Sequence, residues 1–548
     1  MPGQKNFALT PSVKGLIQRS VFNRSHGHKT AFNVDDLIPF YVDEILPGDD
    51  QTVSAQIFAR IPSPLINPIM DNMHIDTFYF FVPNRIIWDN WEKLQGAQDD
   101  PGDSIDFTTP AFDLTGYTAG EESLHDYMGI PPRTTPPAGT HITSLYARAY
   151  NLIYNEWFRD ENLQDSVVVD KGDGPDNTTD YVIRKRNKSH DYFTSCLPWT
   201  QKGTAPTVSL GTSAPVIGTG QTMGVTDGVT EMALFGNANQ NASVMVDAGS
   251  VFVGDTLPIN RGGPHGTTIQ NNDGMGLSTV AANTGIIADL SNATGFTVND
   301  IRETLTIQHL LEIDARSGTR YTEILKAQWG VSVPDFRLQR PEYLGGGSQP
   351  LSVNPIGQTA PSPSTPTTTD AQGNQSAYVT GEQRSGYSKS FVEHGIVIGL
   401  VNIRTDLTYS QGLHKMFQRE TRYDYYMPVF ANLGEQAVRN GELWWQSATN
   451  AIDEDVFGYQ EAWAEYRYAP SKLTGKMRVD ATGSLSPWHL SEDFASLPTL
   501  NTTFIQPNTP IDRVKSVTTE PDIIFDSWIS VKHAREMPVY SIPGVRRF

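Results

Sequence analysis

One ten-residue stretch, "HIDTFYFFVP", is apolar on both of the faces that an extended chain presents. Successive side chains of a β-strand point to opposite sides. Both sets are apolar here: one is Ile75, Tyr79 and Phe81, and the other is Phe78, Phe80 and Val82. Such a strand is stable only where other elements cover it on both sides. The sequence therefore predicts a central strand that lies between two apolar layers.

The residues after this strand predict a short helix docked beside it. Asn84 suits the N-cap position, and Ile87, Trp91 and Leu94 recur at helical spacing on one face. Gly96 stands where a left-handed residue commonly ends a helix. We expect the apolar face of this helix to cover part of the strand.

Four further segments predict regular structure. Residues 35–61 contain two strand-like stretches around a Pro-Gly-Asp-Asp turn, which predicts a hairpin or a corner. Residues 141–164 place apolar side chains at helical spacing, so they predict an amphipathic helix. Residues 298–330 predict two more helices with a break at Ser317-Gly318, and residues 390–410 are mostly strand-like.

The balance of charge limits the partners that the surface can bind. The chain has 41 Lys and Arg against 61 Asp and Glu, which gives a net charge of −20. This argues against a surface made wholly for nucleic acid or anionic membrane, so any DNA contact must be local. The longest apolar run, Gly395–Ile403, is far shorter than the roughly 20 residues that span a bilayer, and the start lacks a secretory signal pattern. We expect a soluble protein made in a cytoplasm, with no membrane insertion.

Three segments differ in composition from the rest of the chain. Residues 1–34 carry five Lys or Arg and no acid, which is typical of a basic, poorly ordered arm. Residues 203–299 hold 16 of the 46 glycines and predict long surface loops with a few short strands. Within the more regular parts, 35–202 and 300–548, the Pro/Ser/Thr-rich residues 358–377 predict an exposed, mobile loop.

Basic clusters mark the candidate contacts with nucleic acid, because clustered Lys and Arg neutralise phosphates without reading bases. The candidates are Lys5, Lys14, Arg19, Arg24 and Lys29 of the arm, Arg184, Lys185, Arg186 and Lys188 of "IRKRNK", and Arg546 and Arg547 of the tail. Each cluster also fits a solvated face or a salt bridge to a neighbouring subunit. Only the arm, which has no acid, favours nucleic acid over these alternatives.

Signatures of catalysis, cofactor binding and metal binding are missing or weak. The chain has no Walker A, HExxH or GxSxG motif. His26 and His28 lack a nearby third ligand, and the acidic residues 170–180 depart from the EF-hand spacing, so a turn is favoured there. Cys196, the one cysteine, excludes a disulfide framework and is favoured as a small buried hydrophobe rather than a nucleophile. We expect no catalytic residue, cofactor or metal.

One segment, residues 453–470, mixes carboxylates with aromatic rings, as does the lining of a polysaccharide-binding or glycosidase cleft. The acids available to such a cleft are Asp453, Glu454, Asp455, Glu461 and Glu465. Packing or interface use of Trp463, Tyr466 and Tyr468 is the favoured alternative, since interfaces are enriched in Tyr and Trp.

Four long stretches occur in order along the chain: "NPIMDNMHIDTFYFFVPNRIIWDNW", "HDYFTSCLPWTQKG", "DARSGTRYTEILKAQWGVSVPDFRLQRPEYLGG" and "VFGYQEAWAEYRYAPSKLTGKMR". Together they resemble the major capsid proteins of gokushoviruses, which are small single-stranded DNA phages of the Microviridae. The resemblance covers most of the chain, and the stretches that carry it are long and specific.

The resemblance implies a mainly β fold: an eight-stranded viral jelly roll, which is a β-sandwich, with long insertions that contain several α-helices and loops. It implies that copies of the chain, one per asymmetric unit, assemble through trimeric and pentameric contacts into a minimal (T=1) icosahedral shell around a circular single-stranded DNA genome. It further implies a virion protein that is made and assembled in the cytoplasm of a bacterial host. Residues 203–299 would gather at the three-fold axes as a protrusion for host attachment.

The resemblance also implies further partners, namely a small basic DNA-binding virion protein, a pilot protein and a host surface receptor. A shell needs contacts between copies, and aromatic and Arg side chains are typical anchors of such contacts. The candidates are Tyr423, Tyr425, Tyr426, Trp444 and Trp445. Core packing fits the two tryptophans equally well.

From the residues alone, two other functions stay open. One is a carbohydrate-binding or polysaccharide-degrading β-sandwich protein, since a fold does not fix a function. The other is a monomeric protein that binds single-stranded DNA, against which the net charge of −20 argues.

Overall fold

The structure, a computed structural model, describes residues 18–115, 120–133, 136–137, 139–207, 297–357, 359, 374–445 and 450–540, together with seven short strands between residues 216 and 288. By its internal contacts the chain divides into two compact units. One comprises Met1–Lys202 with Glu312–Phe548, and the other comprises Gly203–Leu311.

The strands that the structure describes are β1 (Ser20–Asn23), β2 (His26–Phe32), β3 (Ile38–Ile45), β4 (Asp50–Arg60), β5 (Met73–Pro83), β6 (Val216–Gly218), β7 (Gly224–Thr226), β8 (Glu231–Ala233), β9 (Leu257–Ile259), β10 (Thr267–Ile269), β11 (Gly276–Leu277), β12 (Ile286–Ala288), β13 (Glu342–Pro350), β14 (Ser352–Gly357), β15 (Gln375–Ser390), β16 (Gly395–Thr405), β17 (Thr408–Tyr409), β18 (Glu435–Arg439), β19 (Val456–Glu461), β20 (Ser471–Lys472) and β21 (Ile523–Arg535). The α-helices are α1 (Asn84–Ile87), α2 (Trp91–Leu94), α3 (Leu124–Tyr127), α4 (Leu145–Ile153), α5 (Val298–Ser317), α6 (Tyr321–Trp329), α7 (Asn440–Leu443), α8 (Asn450–Glu454) and α9 (Thr502–Ile505).

Two large antiparallel sheets form the centre of the first unit. The six-stranded sheet has the order β1-β21-β4-β15-β14, and β2 pairs with the same edge of β21 as β1. The four-stranded sheet has the order β13-β5-β16-β3. Consecutive strands β3 and β4 lie in different sheets, so the turn between them, in which Gly48 has a φ of 87°, is a corner rather than a hairpin.

The main apolar core lies between these two sheets. Alternate residues of β4 are buried, and its Val53, Ala55 and Ile57 join the same cluster as Ile75 and Tyr79 of β5. A period of two is what a strand with one buried face requires. The chain is therefore a β-sandwich with some helices.

The opposite face of the four-stranded sheet is buried in a second cluster. Phe80 and Val82 of β5 and Ile398 of β16 pack there with residues of α4, among them Tyr150. The prediction of a strand that is apolar on both faces is confirmed, and β16 has the same character, since its first nine residues are all buried.

The predicted helices are present, with one difference in detail. The helix expected after Pro83 is two single turns, α1 and α2, separated at Trp88, whose backbone is extended. The predicted N-cap Asn84 is the first helical residue instead. The break lets the indole Nε1 of Trp88 donate a hydrogen bond to Asp173 at 2.8 Å. A continuous helix would point this indole in another direction. Gly96 has the expected positive φ, at 95°.

The other helical predictions are confirmed. The amphipathic helix is α4, continued by a π-helical turn over Tyr154–Phe158. The pair of helices is α5 and α6, and the break between them includes Gly318 with a φ of 95°.

The expectation of a poorly ordered N-terminal arm is wrong for Ser20–Asn23 and His26–Phe32, which form strands β1 and β2. Both pair with β21, and Phe32 is 1% exposed in the sandwich core. Without them one edge of β21 would present unpaired backbone groups, which proteins avoid. Residues 1–17 lie outside the described residues.

The second unit contains three small antiparallel sheets among its described residues. They pair β6 with β12, β9 with β10, and β7 with both β8 and β11. Of the loop predicted over residues 358–377, residues 358 and 360–373 lie outside the described part of the chain, and residues 375–377 begin strand β15 instead.

Candidate nucleic-acid and subunit-contact surfaces

The described basic side chains of the predicted arm are held against the sandwich. Arg24 forms an ion pair with Asp43 at 2.8 Å, and Arg19 donates hydrogen bonds to the backbone carbonyls of Gly48 and Ala534. Lys29 pairs with Asp526 at 2.5 Å on the surface of the sheet and keeps 79% of its side chain exposed. Lys5 and Lys14 lie outside the described residues. Lys29 is therefore more accessible to a phosphate than Arg24, which keeps 44% of its side chain exposed.

The basic cluster "IRKRNK" is engaged within its own chain. Lys188 pairs with Glu492 at 2.9 Å, lies 4.8 Å from the centre of the Phe504 ring and has only 3% of its side chain exposed. Lys185 donates to the carbonyl of Pro507 at 3.2 Å. Arg184 donates more weakly, at 3.5 Å, to the carbonyl of Asp180. The cluster ties the sandwich to the C-terminal part of the chain, and Lys188 has no face left for a partner.

The fourth cation of this cluster, Arg186, compensates a buried carboxylate. It is ion-paired with Asp76 of β5, which Arg404 also contacts at 2.8 Å. Burial alone would raise the pKa of Asp76, but a hydrogen bond from Ser348 and the two guanidinium groups hold that pKa below its usual value. Sequence reasoning missed this role because the acid lies 110 positions away along the chain.

The candidates Arg546 and Arg547 of the tail lie outside the described residues. Nucleic-acid contact by these residues and by the first 17 stays a prediction.

The candidate subunit contacts Tyr423, Tyr425 and Tyr426 form one segment of exposed rings, which we call the aromatic segment. Tyr423 is 74% exposed, Tyr425 51% and Tyr426 46%. The guanidinium of Arg419 lies 5.5 Å from the ring centre of Tyr425 and 4.3 Å from that of Tyr466. Rings stacked on an Arg and open to solvent are typical anchors of protein interfaces.

The two candidate tryptophans differ in burial. Trp445 is 55% exposed, whereas Trp444 is half-buried. The indole Nε1 of Trp444 is buried, and among the described residues it has no hydrogen-bond partner. Trp445 thus suits an interface, and Trp444 belongs partly to the interior.

Two carboxylates of residues 453–470 are engaged within the chain. Glu461 pairs with Arg467 at 2.6 Å, and Glu465 pairs with Arg419 at 3.1 Å. Trp463 is buried, and its indole donates to the carbonyl of Phe430 at 3.1 Å. The features that suggested a carbohydrate cleft mainly hold this segment together.

A cavity of about 320 Å³ lies beside this segment. Its lining includes Glu442, Glu465 and the ring of Tyr468. Glu442 accepts a hydrogen bond from the hydroxyl of Tyr192 at 2.9 Å, and Glu465 is the partner of Arg419. Both carboxylates are engaged, so the cavity does not present the free acid pair that glycoside hydrolysis uses.

The remaining motifs are structural. Cys196 is buried, and burial raises the pKa of its thiol, which confirms a small buried side chain. In the acidic run, Asp176 forms an ion pair with Arg148 in which both side chains are at most 1% exposed. Within the described residues no group of three or more His, Cys, Asp or Glu could hold a metal ion. In that same part of the chain no helix is both long and apolar enough to cross a membrane.

One surface was missed by the sequence reasoning, namely the solvent-facing side of the six-stranded sheet. Trp528 of β21 stands there and is 55% exposed. The sequence carries a signal for this surface. In "IIFDSWISVKH" every second residue is buried, and the residues between them are exposed or half-buried.

Nearly the whole chain is similar to known proteins. Residues 11–545 match the family described as "Capsid protein (F protein)". The chain is 45% identical to capsid protein VP1 of Bdellovibrio phage phiMH2K over 550 residues, which cover 99% of this chain and 98% of the relative. It is 42% identical to capsid protein VP1 of Chlamydia phage 1 over 596 residues, which cover 99% of this chain and 98% of that relative. It is 35% identical to capsid protein VP1 of Spiroplasma virus 4 over 551 residues, which cover 97% of this chain and 96% of that relative.

These matches extend through the sandwich strands, the aromatic segment and the region between residues 203 and 299, so they concern the whole chain rather than a shared module. The resemblance to gokushovirus major capsid proteins is confirmed. The chain belongs to the phage capsid protein (F protein) family.

Proposed function

We propose that this chain is the wall-forming subunit of a minimal icosahedral shell that encloses a circular single-stranded DNA genome. The observation that carries the proposal is the family match over residues 11–545, together with the three capsid relatives that align over nearly their full lengths. A subunit of this kind functions by self-association rather than by catalysis.

The order of the strands supports an eight-stranded jelly roll as the wall. Taken in chain order, the eight strands are β2, β3, β4, β5, β13, β15, β16 and β21. The first, eighth, third and sixth of these lie side by side in one sheet, and the second, seventh, fourth and fifth in the other. Jelly rolls of viral capsids consist of two such Greek-key sheets. The long segments between these strands, including the helices α4 to α6, are the insertions.

Contacts between copies would centre on the aromatic segment. Closed shells need heterologous contacts that repeat by symmetry. Tyr423 and Tyr425 offer exposed rings, and Arg419 already stacks against Tyr425. Trp445 is a second anchor of the same kind. Burial of such rings against a neighbour contributes most of the binding energy in interfaces.

The region 203–299 would form an outward protrusion for host attachment. Its richness in Gly and its single basic residue, Arg261, distinguish it from the sandwich. Long surface loops on a rigid scaffold commonly carry recognition. In this arrangement the shell is assembled in the bacterial cytoplasm, and residues 1–17 and 541–548 contact the genome or a small basic virion protein inside it.

The proposal is tested by expressing the full chain together with a phage genome and examining the product by light scattering, negative-stain imaging and quantification of nuclease-resistant DNA. We expect uniform particles that protect single-stranded DNA. A stable monomer without protected DNA, obtained with the other phage proteins also supplied, would overturn the proposal.

The subunit contact is tested with the double variant Tyr423→Ala/Tyr425→Ala. We expect at least a tenfold loss of particles with unchanged thermal unfolding of the free subunit, because removal of anchor side chains costs about 2 kcal/mol or more of binding. The control is Tyr321→Ala, which removes a ring that is 65% exposed on α6. Normal yield from the double variant would exclude this segment from the contacts between copies.

A further inference from the structure

The six-stranded sheet has one face that no other element covers among the described residues. Its side chains that point away from the core include Phe58 and Arg60 of β4, Arg384 of β15, and Ile524, Trp528 and Lys532 of β21, and we call this surface the open face. All of β4's alternate residues on this side are exposed. The opposite side of the sandwich differs, because helix α4 covers the four-stranded sheet there.

The register of the strands brings rings and cations of the open face together. Gln56 is the direct partner of Trp528 on one side and of Arg384 on the other. Phe58, two residues along from Gln56, stands opposite Asp526, and Arg60 stands opposite Ile524. Direct cross-strand partners point to the same side of a sheet. Trp528 and Phe58 are therefore diagonal neighbours on the same side of the sheet, and Arg384 follows one strand beyond Gln56. The other direct partner of Phe58 is the acid Glu382, and Arg60 stands two residues further along β4.

The indole of Trp528 lies over the backbone of the neighbouring strand. A Cβ on Gly27 of β2 would stand 3.6 Å from Cε3 and 3.9 Å from Cζ3 of this ring. Because residue 27 is a glycine, no side chain separates the ring from the sheet. The ring is 55% exposed, and Phe58 is 40% exposed.

The cations of the open face are free within the described part of the chain. Arg60, Arg384 and Lys532 form no ion pair or side-chain hydrogen bond there, whereas Lys29 and Asp526 on the same face neutralise each other. The unpaired acids of this face, in the same described strands, are Glu382 and Asp50. The face thus carries a small positive excess on a chain whose net charge is −20.

We propose that the open face binds single-stranded DNA, with Trp528 and Phe58 stacking on unpaired bases and Arg60, Arg384 and Lys532 contacting phosphates. Aromatic rings interleaved with cations are the usual platform for a single strand, since every base has a face that can stack. A duplex hides these base faces. The inference rests on the proposed enclosure of a single-stranded genome. It places the open face on the inward side of the wall.

A second copy of the chain is the other occupant to consider, and the composition of the face argues against it. Cores of stable protein interfaces are depleted of charged residues. Here free cations and polar side chains such as Gln56 alternate with the rings. The open face therefore favours a charged, flexible ligand over a second sheet.

The test is fluorescence anisotropy of a labelled oligothymidine titrated with full-length, unassembled protein over a series of NaCl concentrations. Trp528→Ala is compared with Trp329→Ala, because the Trp329 ring on α6 is also exposed, at 69%, and belongs neither to the open face nor to the candidate subunit contacts. We expect Trp528→Ala to weaken binding about fivefold to 150-fold, the range measured for loss of one stacked base, and Trp329→Ala to change it less than about twofold. Trp528→Phe should recover most of the affinity.

A second variant tests the proposed contacts between the arginines and phosphates. Arg60→Gln/Arg384→Gln should reduce the slope of log affinity against log salt by about 1.4, because each phosphate contact on a single strand contributes roughly 0.7. The control is Arg422→Gln, a change at an exposed arginine outside the open face. A duplex of the same length should bind Trp528→Ala and wild type alike.

Two outcomes separate this inference from the proposed function. If wild-type protein forms DNA-filled particles but Trp528→Ala binds the oligonucleotide as tightly as wild type does, the inference alone is overturned. Loss of particles by Trp528→Ala at unchanged oligonucleotide affinity would also overturn it and would make the open face a contact between copies. A wild-type chain that neither assembles nor binds single-stranded DNA would overturn both.

Discussion

At the scale of single residues, one buried ion pair joins helix α4 to the acidic loop of residues 170–180. Arg148 of α4 is fully buried and donates from Nε to Asp176 at 2.7 Å. It also donates to the carbonyl of Gly172 at 2.8 Å. The hydrogen bonds lower the pKa of Asp176 against the opposing effect of burial. One guanidinium thus holds the acidic loop against the helix.

Arg148→Met is expected to destabilise the free subunit by about 3–5 kcal/mol, because it leaves the carboxylate of Asp176 buried without its cation. The double variant Arg148→Met/Asp176→Leu should recover part of this loss, since it removes the stranded charge as well. Urea unfolding of the two variants and of wild type measures the difference. A double variant less stable than the single one would contradict this role.

A half-buried acid, Asp36, makes stability depend on pH. Burial raises the pKa of Asp36 to about 6 from 3.8, although the nearby Lys185 opposes the shift, and Asp35 and Asp522 add to it. The folded chain therefore holds this proton more tightly than the unfolded chain. The contribution to stability is complete below pH 3.8 and is lost as the pH rises through 6.

Asp36→Asn is therefore expected to be more stable than wild type at pH 7.5, by about 1–3 kcal/mol, and to lose most of this advantage at pH 4.5. Thermal unfolding of unassembled subunits at both pH values measures the effect. The exposed acid Glu420 supplies the control, Glu420→Gln, which should show no such dependence. An advantage of equal size at the two pH values would refute the assignment to this carboxyl.

At the scale of elements, close approach of strands explains where glycine is required. Gly386 lies inside β15, directly opposite Ser54 of β4. A Cβ at this position would overlap the backbone carbonyl of Val53, which cannot move without separating the two strands. Gly357, at the end of β14, has no atom within 4 Å of the corresponding position.

Gly386→Ala is expected to lower the free energy of unfolding by about 1–3 kcal/mol, the usual cost of overpacking, whereas Gly357→Ala should change it by less than about 0.5 kcal/mol. Chemical unfolding of the two variants checks the contrast. Equal stability of both would show that β15 and β4 separate at no cost.

The elements that sequence reasoning predicted are those with a strong local pattern. The two apolar faces of β5 and the helical spacing of α4 to α6 are visible in single stretches of sequence. Strands β1 and β2 were missed because "SVFN" and "HGHKTAF" are short and polar, and what makes them strands is pairing with β21, some 500 positions away. Pairing over that distance leaves no local pattern.

At the scale of the whole molecule, the distribution of charge separates two kinds of basic residue. Arg24, Arg186 and Lys188 neutralise acids of their own chain, whereas Arg60 and Arg384 remain free on the open face within the described strands. The basic clusters were visible in the sequence, but their partners were not, since each acid lies far away along the chain. Contact of the basic clusters with the genome therefore stays a prediction.

We propose that copies of this chain close into a minimal icosahedral shell with the open face inward. This arrangement is tested by cryo-electron microscopy of particles purified after expression with a circular single-stranded DNA genome. We expect one copy of the chain per asymmetric unit, with Trp528 and Arg384 facing nucleic-acid density in the interior. Particles with the open face on the outside, or a chain that forms no closed particle, would contradict the account.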